Sequence, residues 1–276
     1  MGKIKIVTDS TAYIKKEYAE LKGIEIVPLT IHFEGDVQEE GYPGEFESFF
    51  EKLKESESFP TTSQPSAGSF AEVFRELVEN GNEVIAITIS GRLSGTFGSA
   101  SMAAQMIAPD KISVVDSRTT AANLKVLVEK LLEMCEETDD RKAVVEAIEK
   151  EKKKTGISLT VETLDYLQRG GRLTPSQAFL GNLLKVKPII ELIDGALEPV
   201  DKVRGKKKAV GRMIEGIPQN AEILSICHIL SEDEAEEYME VLRKAFPDAR
   251  ITIEELGPVI GAHLGPKAIG ICYCTN

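Results

Sequence analysis

The sequence has no tryptophan, and aromatic residues fill only 6% of its 276 positions. A core for a chain of this length must therefore be mostly Ile, Leu, Val and Ala. With 42% hydrophobic and 28% charged residues, the composition is that of a folded globular protein and excludes a disordered one. Positive charge is in deficit. Lys and Arg number 33 against 45 Asp and Glu, a formal net charge of -12. Such a surface repels phosphate backbones, which excludes nucleic acid as the natural partner but allows one small anion in a local pocket. The basic run Lys202 to Lys208 is too short to change this. It reads as a solvated helix start or a docking patch.

No apolar run approaches the length of a membrane span. Met1-Gly2-Lys3-Ile4 leads straight into a strand pattern with no secretory leader, and Ile6 stands where a myristoylation signal needs Ser or Thr. The expectation is a cytoplasmic protein. Its four cysteines, Cys135, Cys227, Cys272 and Cys274, are then expected as free thiols. Cys227, His228, Cys272 and Cys274 lack the paired Cys-x-x-Cys spacing of a zinc site, so buried thiols and no metal are expected. Catalytic signatures are missing too. There is no Gly-x-Gly-x-x-Gly, no Walker A loop, no His-Glu-x-x-His and no Gly-x-Ser-x-Gly. The expectation is a protein with no catalytic residues and no cofactor.

Present instead, in the first half, is a regular alternation of apolar runs and amphipathic helices. Lys3 to Val7, Ile24 to Phe33, Glu83 to Ile89 and Lys111 to Val115 read as strands. Ser66 to Val78 reads as a helix: Phe70, Val73, Phe74, Leu77 and Val78 follow the helical period, and Gly81 stops it. Helices to about Ile107 and Glu136 follow. This alternation predicts an α/β fold whose N-terminal domain, residues 1–153, is a mainly parallel, doubly wound sheet flanked by helices. Beyond the charged stretch ending at Lys154 the rhythm changes. Asp194-Gly195 joins two extended runs as a hairpin. Ser231 and Glu234 fit a capping box. Residues 154–276 are expected to form an α+β domain with a mixed sheet.

Chemistry concentrates at strand ends, where open parallel sheets bind ligands. Asp9-Ser10-Thr11, Ser90 to Thr96 and Asp116-Ser117 are the three candidates. Helix capping alone accounts for Asp9 and Asp116. Gly91 and Gly95 flanking two serines exceed what a cap requires, and Ser94-Gly95-Thr96 can offer hydroxyls and free N–H groups to an anion. Thr62, Ser63 and Gln64 before Pro65 are spare polar groups. Gly170 reads as a helix C-cap from which Arg172 emerges, either as an anion-binding arginine or as a surface one. His263 lies in Gly257 to Pro266, whose glycines and prolines suggest a rigid, irregular loop.

Taken together these stretches resemble the DegV family. The resemblance rests on Val7-Thr8-Asp9-Ser10-Thr11, Thr62-Ser63-Gln64-Pro65-Ser66, Leu93-Ser94-Gly95-Thr96, Val115-Asp116-Ser117, Leu167 to Leu173, Val186-Lys187-Pro188-Ile189 and Gly257 to Pro266. It implies two α/β domains with a long-chain fatty acid between them. It implies that the carboxylate meets Thr62, Ser94, Gly95 and His263, with Arg172 nearby and Ser10, Ser63, Thr96 and Ser117 as further candidates. It also implies a fatty acid kinase as partner, which phosphorylates the bound carboxylate. Lys267 and Asn123 stand where the family usually carries glycine. Two other readings compete: a hydrolase or acyltransferase with Ser94 as nucleophile and His263 as base, and a lipid sensor.

Overall fold

The structure is a computed structural model that describes residues 3–173 and 186–276. Met1 and Gly2, the positions of the myristoylation question, lie outside the described residues. In chain order the first half contains β1 (Ile4–Asp9), α1 (Lys16–Lys22), β2 (Ile24–Val27), β3 (Thr30–Phe33), β4 (Asp36–Glu39), α2 (Glu47–Glu55), β5 (Thr61–Ser63), α3 (Ala67–Glu79), β6 (Glu83–Thr88), α4 (Thr96–Ile107), β7 (Ile112–Asp116), α5 (Ala121–Glu137) and α6 (Arg141–Glu151). The second half contains β8 (Thr155–Thr160), α7 (Asp165–Gly170), β9 (Val186–Ile193), β10 (Ala196–Arg204), α8 (Lys206–Glu215), β11 (Ala221–His228), α9 (Glu232–Ala245), β12 (Arg250–Glu255), α10 (Pro258–Leu264) and β13 (Ile269–Thr275).

The fold is α/β. A parallel sheet in the order β2-β1-β6-β7 lies between helices on both faces. Alternation along the strands explains this layering. Ile6, Ile24, Ile85 and Ile87 pack with Leu124, Leu127 and Leu131 of α5. Val7, Val27, Val84 and Ala86 point the other way, onto Phe70 and Phe74 of α3 and Ala100 and Ala103 of α4. A mixed sheet in the order β10-β9-β8-β13-β11-β12 dominates the second half. A small antiparallel sheet, β4-β3-β5, sits beside them. A single turn at Lys152–Lys154 separates α6 from β8.

Four local expectations change. The run Ile24 to Phe33 is two strands in two sheets, because Pro28 lies between them and cannot donate to a ladder. Ser231 is the N-cap of α9, but its side chain makes no capping bond and Glu234 pairs with Lys206 instead. Gly171, with φ 66, is the left-handed C-cap of α7, one residue beyond the expected Gly170. Gly257 to Pro266 is not an irregular loop, since most of it is α10. Pro258 occupies the first helical turn, where its missing N–H costs nothing, and Gly265 ends the helix at φ 74.

Candidate functional site

One face of the mixed sheet packs on α8 and α9 through Leu224, Ile226, Ile269 and Ile271. The residues between these point to the opposite face. Ile157 and Leu159 of β8, Cys227 of β11, and Gly270 and Cys272 of β13 line an apolar slot there. Leu192 and Leu197, from the β9–β10 hairpin, line it too, as do Leu256, Val259 and Ile260. The first half closes the slot with residues that follow parallel strands: Leu29 after β2, Ile89 after β6, Thr120 and Ala121 after β7. The slot, with its open mouth included, holds about 830 Å³ of space free of protein atoms. The hairpin is fastened at its tip. Ser90 Oγ donates to the Gly195 carbonyl at 2.7 Å, and Arg92 reaches the Asp194 carbonyl at 3.4 Å.

The polar lining of the slot is Thr62, Gln64, Ser94, Thr120, Arg172 and His263. These positions come from five different segments. Thr62 Oγ1 and His263 Nε2 share a hydrogen bond of 2.8 Å across 201 residues of sequence. Burial, then the neighbouring Arg172 guanidinium, push the His263 pKa down to about 4, so the ring is neutral at pH 7. His263 Nδ1 has no partner among the described residues. The ring lies hard against Gly170, where a Cβ would stand 2.3 Å from Nδ1. Arg172 donates through Nε to the Leu93 carbonyl at 3.1 Å, which ties it to the Ser94 loop. Ser94 Oγ pairs with Thr96 Oγ1 at 2.8 Å. The N-cap of α4 is Gly95, which has no side chain to offer, and Ser94 Oγ accepts only a long bond, 3.4 Å, from the first-turn Thr96 N–H. At Gly95 a Cβ would stand 2.7 Å from the Gln64 amide, the end of a flexible side chain that would have to turn aside.

This end of the slot can hold a small anion. It combines two hydroxyls, a guanidinium, a neutral imidazole and a helix N-terminus. It does not assemble a nucleophile and base. Among the described hydrogen bonds, Ser94 pairs with Thr96 and His263 with Thr62. Asp9 accepts from Thr11 and from the Ile89 N–H, while Asp116 accepts from the Gly91 and Arg118 N–H groups. Among the described residues no acid therefore orients His263.

The remaining candidates lie elsewhere. Ser10 is buried and donates to Glu40 Oε2 at 2.6 Å, while accepting from the Leu29 N–H. Ser63 Oγ pairs with His32 at an exposed site. Thr96 is buried behind Ser94. Ser117 folds back on Thr119. Sequence reasoning missed Thr120, which lines the slot with a buried Oγ1 that has no partner among the described residues. It sits at the end of a parallel strand, the signal already used for Ser117. Among the described residues no group of His, Cys, Asp and Glu could hold a metal, and no helix is long and apolar enough to cross a membrane. Cys227 and Cys272 are free thiols 3.6 Å apart in the slot wall.

The sequence and the fold are similar to those of known proteins. The family model described as "Uncharacterised protein, DegV family" matches residues 3–276. A DegV domain-containing protein of Halalkalibacterium halodurans is 37% identical over 279 residues, 99% of this chain and 99% of that one. The crystal structure of DegV from Bacillus subtilis, described as a fatty acid binding protein, has a TM-score of 0.88 at 35% identity and covers 100% of both chains. A stearic acid-binding protein from Eubacterium ventriosum gives a TM-score of 0.88 at 28% identity, over 99% of this chain and 98% of its own. Matched in sequence from residue 3 onward, and alike in fold from end to end, the chain belongs to the DegV family.

Proposed function

We propose that this protein binds one long-chain fatty acid, with the tail in the slot and the carboxylate at Thr62, Ser94, Gly95, His263 and Arg172. The observation that carries this reading is an apolar slot whose polar end gathers two hydroxyls, an arginine and a helix N-terminus. The Bacillus subtilis and Eubacterium ventriosum relatives support it, being described as binders of the same ligand class. Residues 1–153 and 154–276 act as two domains, and the acyl chain lies between them. Tail burial supplies most of the affinity, at about 0.8 kcal/mol per methylene, and the polar end sets the orientation.

The carboxylate is then presented to a fatty acid kinase for conversion to an acyl phosphate. The sequence carries neither a Walker A loop nor a dinucleotide fingerprint, so the phosphoryl donor is brought by the partner. The protein works in the cytoplasm, with its thiols reduced. The direct test is to purify the protein, denature it, extract with organic solvent and identify lipids by mass spectrometry. A stoichiometric fatty acid is expected. An empty extract, together with no binding of added octadecanoic acid, would overturn the reading.

A further inference from the structure

Glu40 follows β4, and its side chain is almost wholly buried, 5% exposed. One oxygen accepts from Ser10 Oγ at 2.6 Å. The other accepts from the Val259 backbone N–H at 2.7 Å and from the Tyr13 hydroxyl at 3.3 Å. The Tyr13 oxygen in turn accepts from the Ile260 N–H at 3.4 Å. Tyr13 stands in the left-handed region, at φ 50, as the C-cap of the turn Ser10–Ala12. The Gly257 backbone presses on both side chains, since a Cβ there would stand 2.6 Å from Tyr13 and 2.7 Å from Glu40.

Val259 and Ile260 are the second and third residues of α10. First-turn N–H groups have no partner within a helix, and Gly257, the N-cap, has no side chain to offer. Glu40 and Tyr13 therefore cap the helix from more than two hundred residues away in sequence. A helix of seven residues does not hold itself in water, so its position depends on such outside contacts. The same helix carries His263 at the polar end of the slot, and Val259 and Ile260 in its wall.

We propose that Glu40, acting with Tyr13, is a positioning residue for the anion-binding end: it fixes the start of α10 and so holds His263 against Thr62. The proposal rests on the reading of His263 as a carboxylate contact. Its test uses the full chain and the variants Glu40→Ala, Glu40→Gln and Tyr13→Phe. Amide hydrogen exchange at Val259 and Ile260 and the His263 imidazole resonance are measured without ligand. The dissociation rate is measured with octadecanoic acid.

Glu40→Ala should speed exchange at both amides and ligand dissociation by about tenfold or more, and should shift the His263 resonance. Tyr13→Phe should do the same chiefly at Ile260, and it carries the test if Glu40→Ala does not fold. Glu40→Gln keeps a carbonyl acceptor for the Val259 N–H and should restore both the exchange rates and the resonance. Unchanged exchange and an unmoved His263 resonance in Glu40→Ala and Tyr13→Phe would overturn the proposal, as would failure of Glu40→Gln to rescue. If wild type does not bind octadecanoic acid, the fatty acid reading falls, while the exchange and resonance data still decide whether Glu40 positions His263.

Discussion

Ser94 offers its hydroxyl at the start of α4, held only by Thr96. Removing it should weaken octadecanoic acid binding by about 1–3 kcal/mol if it serves a buried carboxylate. Calorimetric titration of Ser94→Ala checks this, and unchanged affinity would remove Ser94 from the site. Glu40 makes a prediction about pH. Burial, opposed by its hydrogen bonds, raises its pKa from 4.5 to about 7. A carboxyl raised on folding stabilises the protein fully below its unfolded value, and that stability is lost as pH rises through about 7. Its full share is roughly 3 kcal/mol. Asp9, raised by burial to about 6, acts in the same direction at lower pH; Tyr13 contacts Glu40 directly, and Lys16, Glu39, Tyr42 and Glu45 line the hollow beside it. The diagnostic quantity is therefore the difference between wild type and Glu40→Gln in urea unfolding. The wild-type slope from pH 6 to pH 8 should be steeper. Lys267 sits at φ 63, a conformation that strains a side-chain-bearing residue. Lys267→Gly should raise stability by about 0.5–1 kcal/mol, read as an increased urea midpoint. Lys267 was legible as a departure because the resemblance placed glycine there. Glu40 was not legible, since one carboxylate among 45 acidic residues carries no local signal until the fold buries it.

Helix boundaries followed from punctuation wherever it acted locally. Ser66 caps α3, accepting from the Ser69 N–H at 3.0 Å, and Gly81 takes φ 83 just beyond it. The hairpin at Asp194-Gly195 was visible for the same reason, with both residues at positive φ. Two elements were misread because identical residues serve opposite ends. The glycines and prolines of 257–266 suggested an irregular loop, whereas Pro258 opens α10 and Gly265 closes it. Ser231 and Glu234 have capping-box spacing, but tertiary contacts took both: Glu234 pairs with Lys206, and the Ser231 N–H meets His228 at 3.4 Å. Gly170 shows how packing outweighs propensity. It is the last residue of α7, where alanine is intrinsically better by up to about 1 kcal/mol, the helix-interior value. A methyl group there would nonetheless drive His263 off Thr62. Gly170→Ala should therefore destabilise by about 1–3 kcal/mol and weaken carboxylate binding, where propensity alone predicts a gain. A thermal melt paired with an octadecanoic acid titration separates the two.

At the scale of the molecule, the slot exists because the strand ends of one sheet face the broad side of another. Strand ends of the parallel sheet supply the groups at Ile89, Ser94 and Thr120, and one face of the mixed sheet supplies the apolar wall. The first was readable from sequence, since ligand groups gather at the carboxyl ends of parallel strands. The second was not. Cys227 and Ile226 are equally apolar neighbours on β11, and only the packing of α8 and α9 decides which one faces the slot. Affinity should follow tail length. Shortening octadecanoic acid to hexadecanoic acid removes two methylenes and should weaken binding by about 1.6 kcal/mol, roughly fifteenfold, while Ser94→Ala should weaken both ligands equally. A flat response to length would mean that the tail lies outside the slot. The mixed sheet has one further property. Its first and last strands, β8 and β13, are neighbours, and Thr155 is the register partner of Cys274. Residues 155 and 274 therefore lie side by side, with their backbones about 5 Å apart. A short splice there would close residues 155–276 into a ring, and the ring could be cut at the exposed turn around Asn220 with every strand pairing intact.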